Sequence, residues 1–282
     1  MRRGMREEGF RMRLLPPAEY GMAAKLLDEV PFNTLFAGTV LEGHMLGSVY
    51  ADGSNRTFLI VHPYGMSLLL GRTDSHEFNR DLEAYMMNAD RRRKRTEWLQ
   101  IYPLDWVPVI ENILGGNLVR KSAEPQVDDP TRVMVLERVN FRFDMDRFPA
   151  AHSPPPGMIV RTTAEMFEKI RGQIVPRYFW RDAEHFVSDG AGFSLIMEEK
   201  SVSTAFSAFV IGNRLELGIE TADGFRGKGY AEHVSRALIE FCVENGYEPV
   251  WSCRGDNIGS FSLAVKLGFE PTLRIPHYKL AI

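Results

Sequence analysis

The alternation of apolar and polar positions is clearest between residues 215 and 246. Leu215, Leu217 and Ile219 alternate with Glu216, Gly218 and Glu220, the period of two expected of a strand. From Ala231 the period lengthens: Ala231, Val234, Leu238, Phe241 and Cys242 fall on one helical face, and Gly246 is a natural stop. Between strand and helix lies Arg226-Gly227-Lys228-Gly229-Tyr230-Ala231. Further downstream, residues 248–253 read as a strand, Asn257 to Lys266 as a helix closed by Gly268, and residues 277–282 as a last strand. Upstream of 215, the pattern predicts a strand at 158–161, a helix opened by Thr162-Thr163-Ala164-Glu165 and running to about Val175, a shorter helix at 182–188, and strands at 193–198 and 201–210. The first half reads as a helix at 18–30, a meander at 46–51, 57–62 and 66–71, a helix from Ser75 to about Ala89, a strand at 98–102, a helix at 104–114 and a strand at 133–143. Asn33-Thr34-Leu35-Phe36 has no readable role in this pattern.

Together these elements predict an α/β chain with mixed sheet. Its 282 residues suffice for about two domains of ordinary size. Residues 144–157 hold four of the sixteen prolines, and Pro154-Pro155-Pro156 favours an extended, stiff backbone. The boundary is therefore placed there, dividing the chain into 1–148 and 149–282. With 44% apolar and 25% charged residues the composition supports a sizeable core. A net charge of -3 argues against a chain built throughout to bind polyanions. Cys242 and Cys253 are the only cysteines, so neither a disulfide framework nor a four-cysteine metal site is expected; a reducing cytoplasm fits. The N-terminal stretch has scattered charges and no apolar signal core, and no apolar run approaches a membrane span.

The turn at 226–231 carries the candidate chemistry. Two glycines let backbone approach a ligand, and the first N–H groups of the following helix lie at the positive end of its dipole, a place for phosphate. GxGxxG is absent, and Lys228 is not followed by Ser or Thr, which excludes the dinucleotide and P-loop fingerprints. What the stretch resembles is the (Arg/Gln)-x-x-Gly-x-(Gly/Ala) signature of the GNAT superfamily of N-acetyltransferases, met here by Arg226, Gly229 and Ala231. A second match, Asn257-x-x-Ser260-x-x-Leu263-Ala264-x-Lys266-Leu267-Gly268-Phe269, resembles that family's pattern of an Asn after the fifth strand and a helix ending in Gly-Phe. The predicted order in the second half is also that of a GNAT domain. Across both halves the chain resembles the branch that includes zwittermicin A resistance proteins, in LEGHMLGSVYADG, GRTDSHEFNRDL, FVSDGAGFSLI, LGIETADGFRGKGYA and WSCRGDNIGSFSLAVKLGF. The first half repeats the order of elements, but its junction Gly71-Arg72-Thr73-Asp74-Ser75 has an acid where phosphate would sit; the expectation is a degenerate GNAT-like copy unable to hold CoA.

The resemblance implies acetyl-CoA as cosubstrate, held by Ile219 and Thr221 through backbone groups and by Arg226, Gly227, Lys228, Gly229, Tyr230, Ala231 and Asn257. It implies direct transfer of acetyl to a primary amine in a ternary complex, and the branch points to a small-molecule acceptor. Glu220 is the first candidate for general base and Glu216 the second; each is also readable as an ion-paired strand position. Many family members place a Tyr general acid where this chain has Ala264, which leaves Ser260 or water to protonate the thiolate. The rival reading is a non-catalytic acetyl-CoA-binding or interaction module of the same shape.

The remaining candidates are weaker. Cys253 lacks a His placed by sequence to activate it and reads as a packed thiol; Cys242 reads as core. Seven dispersed histidines, His152 among them, form no metal-ligand spacing, and no metal is expected. Five consecutive cations, Arg91 to Arg95, read first as a solvated helix end; a nucleic-acid or membrane partner has no motif behind it, and oligomerisation is open. Trp180, His277 and Tyr278 are candidates for an acceptor pocket, with a structural position as the plainer reading of each.

Overall fold

A computed structural model describes residues 12–120, 129, 131–150 and 153–282; the stretch 1–11 read for a signal peptide, and His152, lie outside them. The first half runs β1 (Arg13–Leu14), α1 (Gly21–Leu27), α2 (Leu35–Leu41), β2 (Ser48–Ala51), β3 (Thr57–Val61), β4 (Met66–Gly71), α3 (His76–Met86), β5 (Glu97–Tyr102), α4 (Trp106–Leu114), β6 (Leu118–Arg120) and β7 (Val133–Phe143). The second half runs β8 (Met158–Arg161), α5 (Ala164–Lys169), α6 (Ala183–Asp189), β9 (Gly192–Met197), β10 (Lys200–Ile211), β11 (Arg214–Thr221), α7 (Tyr230–Glu244), β12 (Glu248–Arg254), α8 (Ile258–Lys266) and β13 (Phe269–Leu280).

One mixed sheet carries both halves, in the order β1-β2-β3-β4-β5-β13-β7-β12-β11-β10-β9-β8, with short β6 beside β7. Each half thus lays out its first five strands in chain order, while its last strand lies beside the fifth strand of the other half. β13 pairs antiparallel with β5 (Tyr278 opposite Leu99), and β7 with β12 (Trp251 opposite Phe141). β7 and β13 pair with each other along their lengths, from Phe269 opposite Phe143 to Leu280 opposite Val133. The sheet therefore continues across the proline-rich connection.

The core follows from this weave. Phe36 and Val40 of α2 pack with Phe206 and Phe209 of β10, joining the halves on one face; Phe36 and Phe209 are 6.4 Å apart at their ring centres. On the other face α3 and α4 cover β3 to β5 together with Tyr278 and Leu280 of β13. α8 covers Val139 and Phe141 of β7, while α7 covers β9 to β11.

Three expectations need correction. Asn33-Thr34-Leu35-Phe36 opens a helix, α2, whose residues from Leu35 to Val40 are buried. A helix buried all round lacks the amphipathic stripe by which a pattern reveals one. The helix after Thr163 ends at Lys169 instead of near Val175, because the N–H groups of Gln173 and Ile174 bond the Glu220 carboxylate. The last strand begins at Phe269, eight residues before the expected start, and absorbs Pro271 with a register shift before Leu273.

The basic run is divided by burial. Arg93 is 3% exposed and its guanidinium donates to the carbonyls of Tyr85, Met86, Leu280 and Ala281 at 2.7–3.0 Å. Arg92 pairs with Asp90 and lies 5.7 Å and 5.5 Å from the rings of Tyr50 and Tyr85. Arg93 is a pin between α3 and the chain end, so Arg93→Ala should cost about 2–4 kcal/mol in urea unfolding, because it orphans buried acceptors. A change below about 0.5 kcal/mol would mean those carbonyls find water instead.

Candidate active site

The site lies where β11 and β12 part. These parallel strands pair only at their starts, Arg214 to Glu216 opposite Glu248 to Val250. Beyond that point β11 stays with β10 as far as Thr221, and β12 turns to β7 from Trp251 to Arg254. A fork opens, with Glu216 and Val250 at its vertex and an unpaired edge of β11, including Ile219 and Thr221, along one arm. In the first half β4 and β5 pair without a break from Met66–Leu70 to Trp98–Tyr102, and no fork forms.

At the mouth of the fork α7 starts on two glycines in the left-handed region, Gly227 at φ +75° and Gly229 at φ +81°. A Cβ on either would meet nothing within 4 Å, so the space above the turn is open. Among the described residues the first backbone bond into the helix is Glu232 N–H to Gly229 O at 3.0 Å; no backbone acceptor meets the N–H groups of 227–231. Free donors at the N-terminus of a long helix are an arrangement able to receive an anion. In the first half the matching junction is closed: Arg72 pairs with Asp74, and Ser75 caps α3 through Phe78 N–H.

The side chains of the turn are placed less simply. Arg226, exposed at the surface, folds back over the turn, donating to Thr221 O at 3.0 Å and Glu220 Oε1 at 2.9 Å, with Asp223 at 3.4 Å. It braces the turn. Lys228 is exposed, with Nζ 5.2 Å from the Phe225 ring centre, and Tyr230 packs on the same ring at 6.3 Å. Thr221 Oγ1 bonds Ser203 Oγ at 2.8 Å. Asn257 is the N-cap of α8, its Oδ1 accepting from Ser260 N–H at 3.1 Å. Ser260 Oγ accepts from the Trp251 indole at 3.1 Å. Ala264 is fully buried in the α8 core, and burial pushes the Cys253 thiol above its ordinary range.

The two glutamates differ. Glu220 is saturated: Oε2 accepts from Gln173 and Ile174 N–H at 2.8 and 2.9 Å, and Oε1 takes Arg226. Gly172, at φ +151°, lies so close that a Cβ would meet the Glu220 carboxyl at 2.5 Å. Glu220 thus ties the loop after α5 to the glycine turn. Glu216, 5% exposed at the vertex, has one occupied oxygen: Oε1 accepts from Ser252 Oγ at 2.9 Å and faces Arg138 Nη2 at 3.4 Å. Its Oε2 has no hydrogen-bond partner among the described residues.

Around Glu216 the sheet face carries residues that sequence reading missed. Arg138 of β7 donates to Ser252 Oγ at 2.5 Å, and Asn33, just before α2, donates to the same oxygen at 3.1 Å. Asn140 Oδ1 accepts from Asn33 N–H at 3.1 Å. Tyr64, from the β3–β4 turn, reaches Gln173 O at 3.4 Å and packs tilted against Phe179 with ring centres 4.3 Å apart; burial and the nearby Glu220 push its hydroxyl upward. His277 is buried beside Arg138 and 5.0 Å from the Trp98 ring; burial and that positive neighbour hold it well below its ordinary value, hence neutral. The alternation in β7 sends Arg138 and Asn140 to the face opposite Val139 and Phe141, which in sequence reads as solvent-facing. Only the strand exchange shows this face to be interior. Trp180 is core, its indole bonded to Ser207 O at 2.6 Å.

No group of three or more His, Cys, Asp or Glu residues is positioned to hold a metal ion among the described residues. No described helix is long and apolar enough to cross a membrane.

The comparisons with known proteins agree with this geometry. The curated relative YdfB of Bacillus subtilis, described as an uncharacterized N-acetyltransferase, is 27% identical over 240 residues, 83% of this chain and 86% of that protein. The crystal structure of a GCN5-related N-acetyltransferase-like protein from Streptococcus suis is similar with a TM-score of 0.67 at 21% identity, over 93% of this chain and 98% of that one. A tandem GNAT protein from the clavulanic acid biosynthesis pathway is similar with a TM-score of 0.59 at 12% identity, over 94% and 96%. The family model for GNAT acetyltransferases matches residues 25–278, a span that takes in the fork, the glycine turn and both halves of the sheet, and the chain belongs to that family.

Proposed function

We propose that this protein transfers the acetyl group of acetyl-CoA to a primary amine of a small molecule, by direct attack in a ternary complex. The observation that carries the reading is the coincidence of an open anion cradle with a forked pair of strands. The N–H groups from Gly227 to Ala231 hold the pyrophosphate. Lys228 adds charge at the rim, and Arg226 acts by bracing the turn. Pantetheine runs into the fork along the free edge of Ile219 and Thr221, with Asn257 and α8 on the other side. The amine nitrogen attacks the thioester carbonyl near the vertex, where Glu216 accepts its proton through Oε2; this reverses the order of preference between the two glutamates, because Glu220 is already saturated. The C–S bond breaks and the thiolate is protonated by Ser260 or by water. Small molecule rather than macromolecule rests on the resemblance to the zwittermicin A resistance branch and on the burial of Arg93 within the basic run. Cytoplasmic residence fits two buried, unpaired cysteines.

The first half serves in this reading as an unloaded copy. Its closed junction and unforked strands leave no place for CoA, yet it supplies β7, Asn33 and Tyr64 to the working site.

Calorimetric titration of acetyl-CoA into the full chain tests the reading. Micromolar binding is expected, and Gly229→Glu should weaken it by at least about 100-fold, since it places an anion in the cradle on a backbone that disfavours a Cβ. A folded parent that does not bind would overturn the proposal. Binding without thiol release on any amine would favour the non-catalytic reading.

A further inference from the structure

Arg138 of β7 and Glu216 of β11 meet over the strand between them, β12, and come from opposite halves of the chain. Their contact, and the bridge through Ser252, uses only Nη2 of the arginine and Oε1 of the glutamate. Arg138 Nε and Glu216 Oε2 are both buried and have no hydrogen-bond partner among the described residues. The same is true of both ring nitrogens of His277, on the strand next to β7, and of both amide atoms of Gln100 on the strand beyond it. Buried donors and acceptors are normally satisfied, and a purely structural ion pair needs its remaining atoms bonded to repay desolvation. A band of unsatisfied polar atoms across adjacent strands marks a place that takes a polar ligand.

The chemistry of that ligand follows from what is spare. Glu216 offers an acceptor and Arg138 a donor. The charges of the pair already cancel, so a simple ammonium would bring uncompensated charge and leave Nε unsatisfied. A ligand with an amine and an acid close together satisfies both atoms and keeps the site neutral. The two side chains are in direct contact, Nη2 to Oε1 at 3.4 Å, so a ligand that meets both carries its amine and its acid close together.

We propose that this composite patch is the acceptor site, and that the acceptor is an α-amino acid or a compound ending in that group, its amine at Glu216 and its carboxylate at Arg138. The assignment rests on the acetyl-transfer reading above. In the step it describes, the α-nitrogen forms an amide with the acetyl carbon and the C–S bond breaks. The nitrogen's proton passes to Glu216, the CoA thiolate takes a proton from Ser260 or solvent, and the carboxylate is unchanged. Asn33 holds Ser252, and through it the pair, in place. The first half is then needed for acceptor choice, since Arg138 and Asn33 both come from it.

The test compares matched acceptors: a series of α-amino acids and the amines left by removing their carboxyl groups, with thiol release as readout on the full chain. The expected kcat/KM ratio favours the acids by at least about tenfold. In Arg138→Gln the ratio should fall to near one, while the acetyl-CoA affinity measured by calorimetry stays unchanged. Arg138→Lys should keep part of the preference. A wild-type ratio near one, or a preference that survives Arg138→Gln, would overturn the assignment, and the wild-type ratio decides even if the variant does not fold. If no member of the series is acetylated, titration of the same acids into the CoA-saturated protein decides: no carboxylate-dependent binding defeats this proposal. Intact acetyl-CoA binding in that case leaves the broader reading standing, whereas its absence sinks both.

Discussion

Glu216→Gln is expected to lower kcat/KM for acetyl transfer by about 100- to 10,000-fold, the range for loss of a positioned general base, with acetyl-CoA affinity retained. The substitution is isosteric. Its amide oxygen still accepts from Ser252, so the link to Arg138 survives, but nothing remains at the vertex to take a proton. Glu220→Gln should behave differently. Its partners are the N–H groups of Gln173 and Ile174 and the guanidinium of Arg226, so weakening it loosens the loop after α5 and the brace of the glycine turn. The expected signature is a KM for acetyl-CoA raised by about tenfold with a smaller change in kcat, in keeping with hydrogen bonds to charged groups. Steady-state thiol release on both variants, with calorimetry on each, separates the two. Turnover by Glu216→Gln within twofold of the parent would remove that residue from the chemistry, and a kcat loss confined to Glu220→Gln would restore the order the sequence favours.

That order shows where the sequence stops being informative. Both glutamates occupy one face of a strand, and proximity to the turn is the only cue that separates them in one dimension. What distinguishes them is the loop at 173–174, folded back from more than forty residues upstream, and Arg138, contributed from the other half. The turn itself was legible, because Gly227 and Gly229 answer a local backbone demand and the change of period around them is local too. Asn257 was legible as a cap for the same reason. Ser260 is a candidate donor by its position near the thiol, and its hydroxyl is tied to Trp251, a contact that depends on how α8 lies on β12. Arg93 shows the limit most plainly: a residue in a run of five cations is 3% exposed, and nothing in the run distinguishes it from Arg91 or Lys94. Element order revealed the likeness of the halves. The exchange of their last strands is invisible to it, since β7 and β13 have the same length and alternation whichever neighbour they take.

Residues 153–282 expressed alone should show no cooperative melt and no acetyl-CoA binding, although they carry the whole glycine turn and the α8 motif. Without β7, β12 loses its partner from Trp251 to Arg254 and the second arm of the fork has nothing to hold it open. β13 loses its neighbours on both sides, β7 and β5. Val139 and Phe141 leave the α8 core, and Phe36 and Val40 leave β10. At about 1.5–3 kcal/mol for each large apolar side chain, losing these and the remaining first-half contacts exceeds the about 5–15 kcal/mol that holds a typical domain folded. Long unpaired edges on β12 and β13 would also template aggregation. Co-expression with residues 12–150 should restore a single sharp transition and acetyl-CoA binding, because the exchanged strands pair as well between two chains as within one. A fragment 153–282 that melts sharply by calorimetry and binds acetyl-CoA as tightly as the full chain would show that the fork stands without β7. The acceptor site would then have to be sought within the second half alone, since Arg138 and Asn33 would no longer be required to build it.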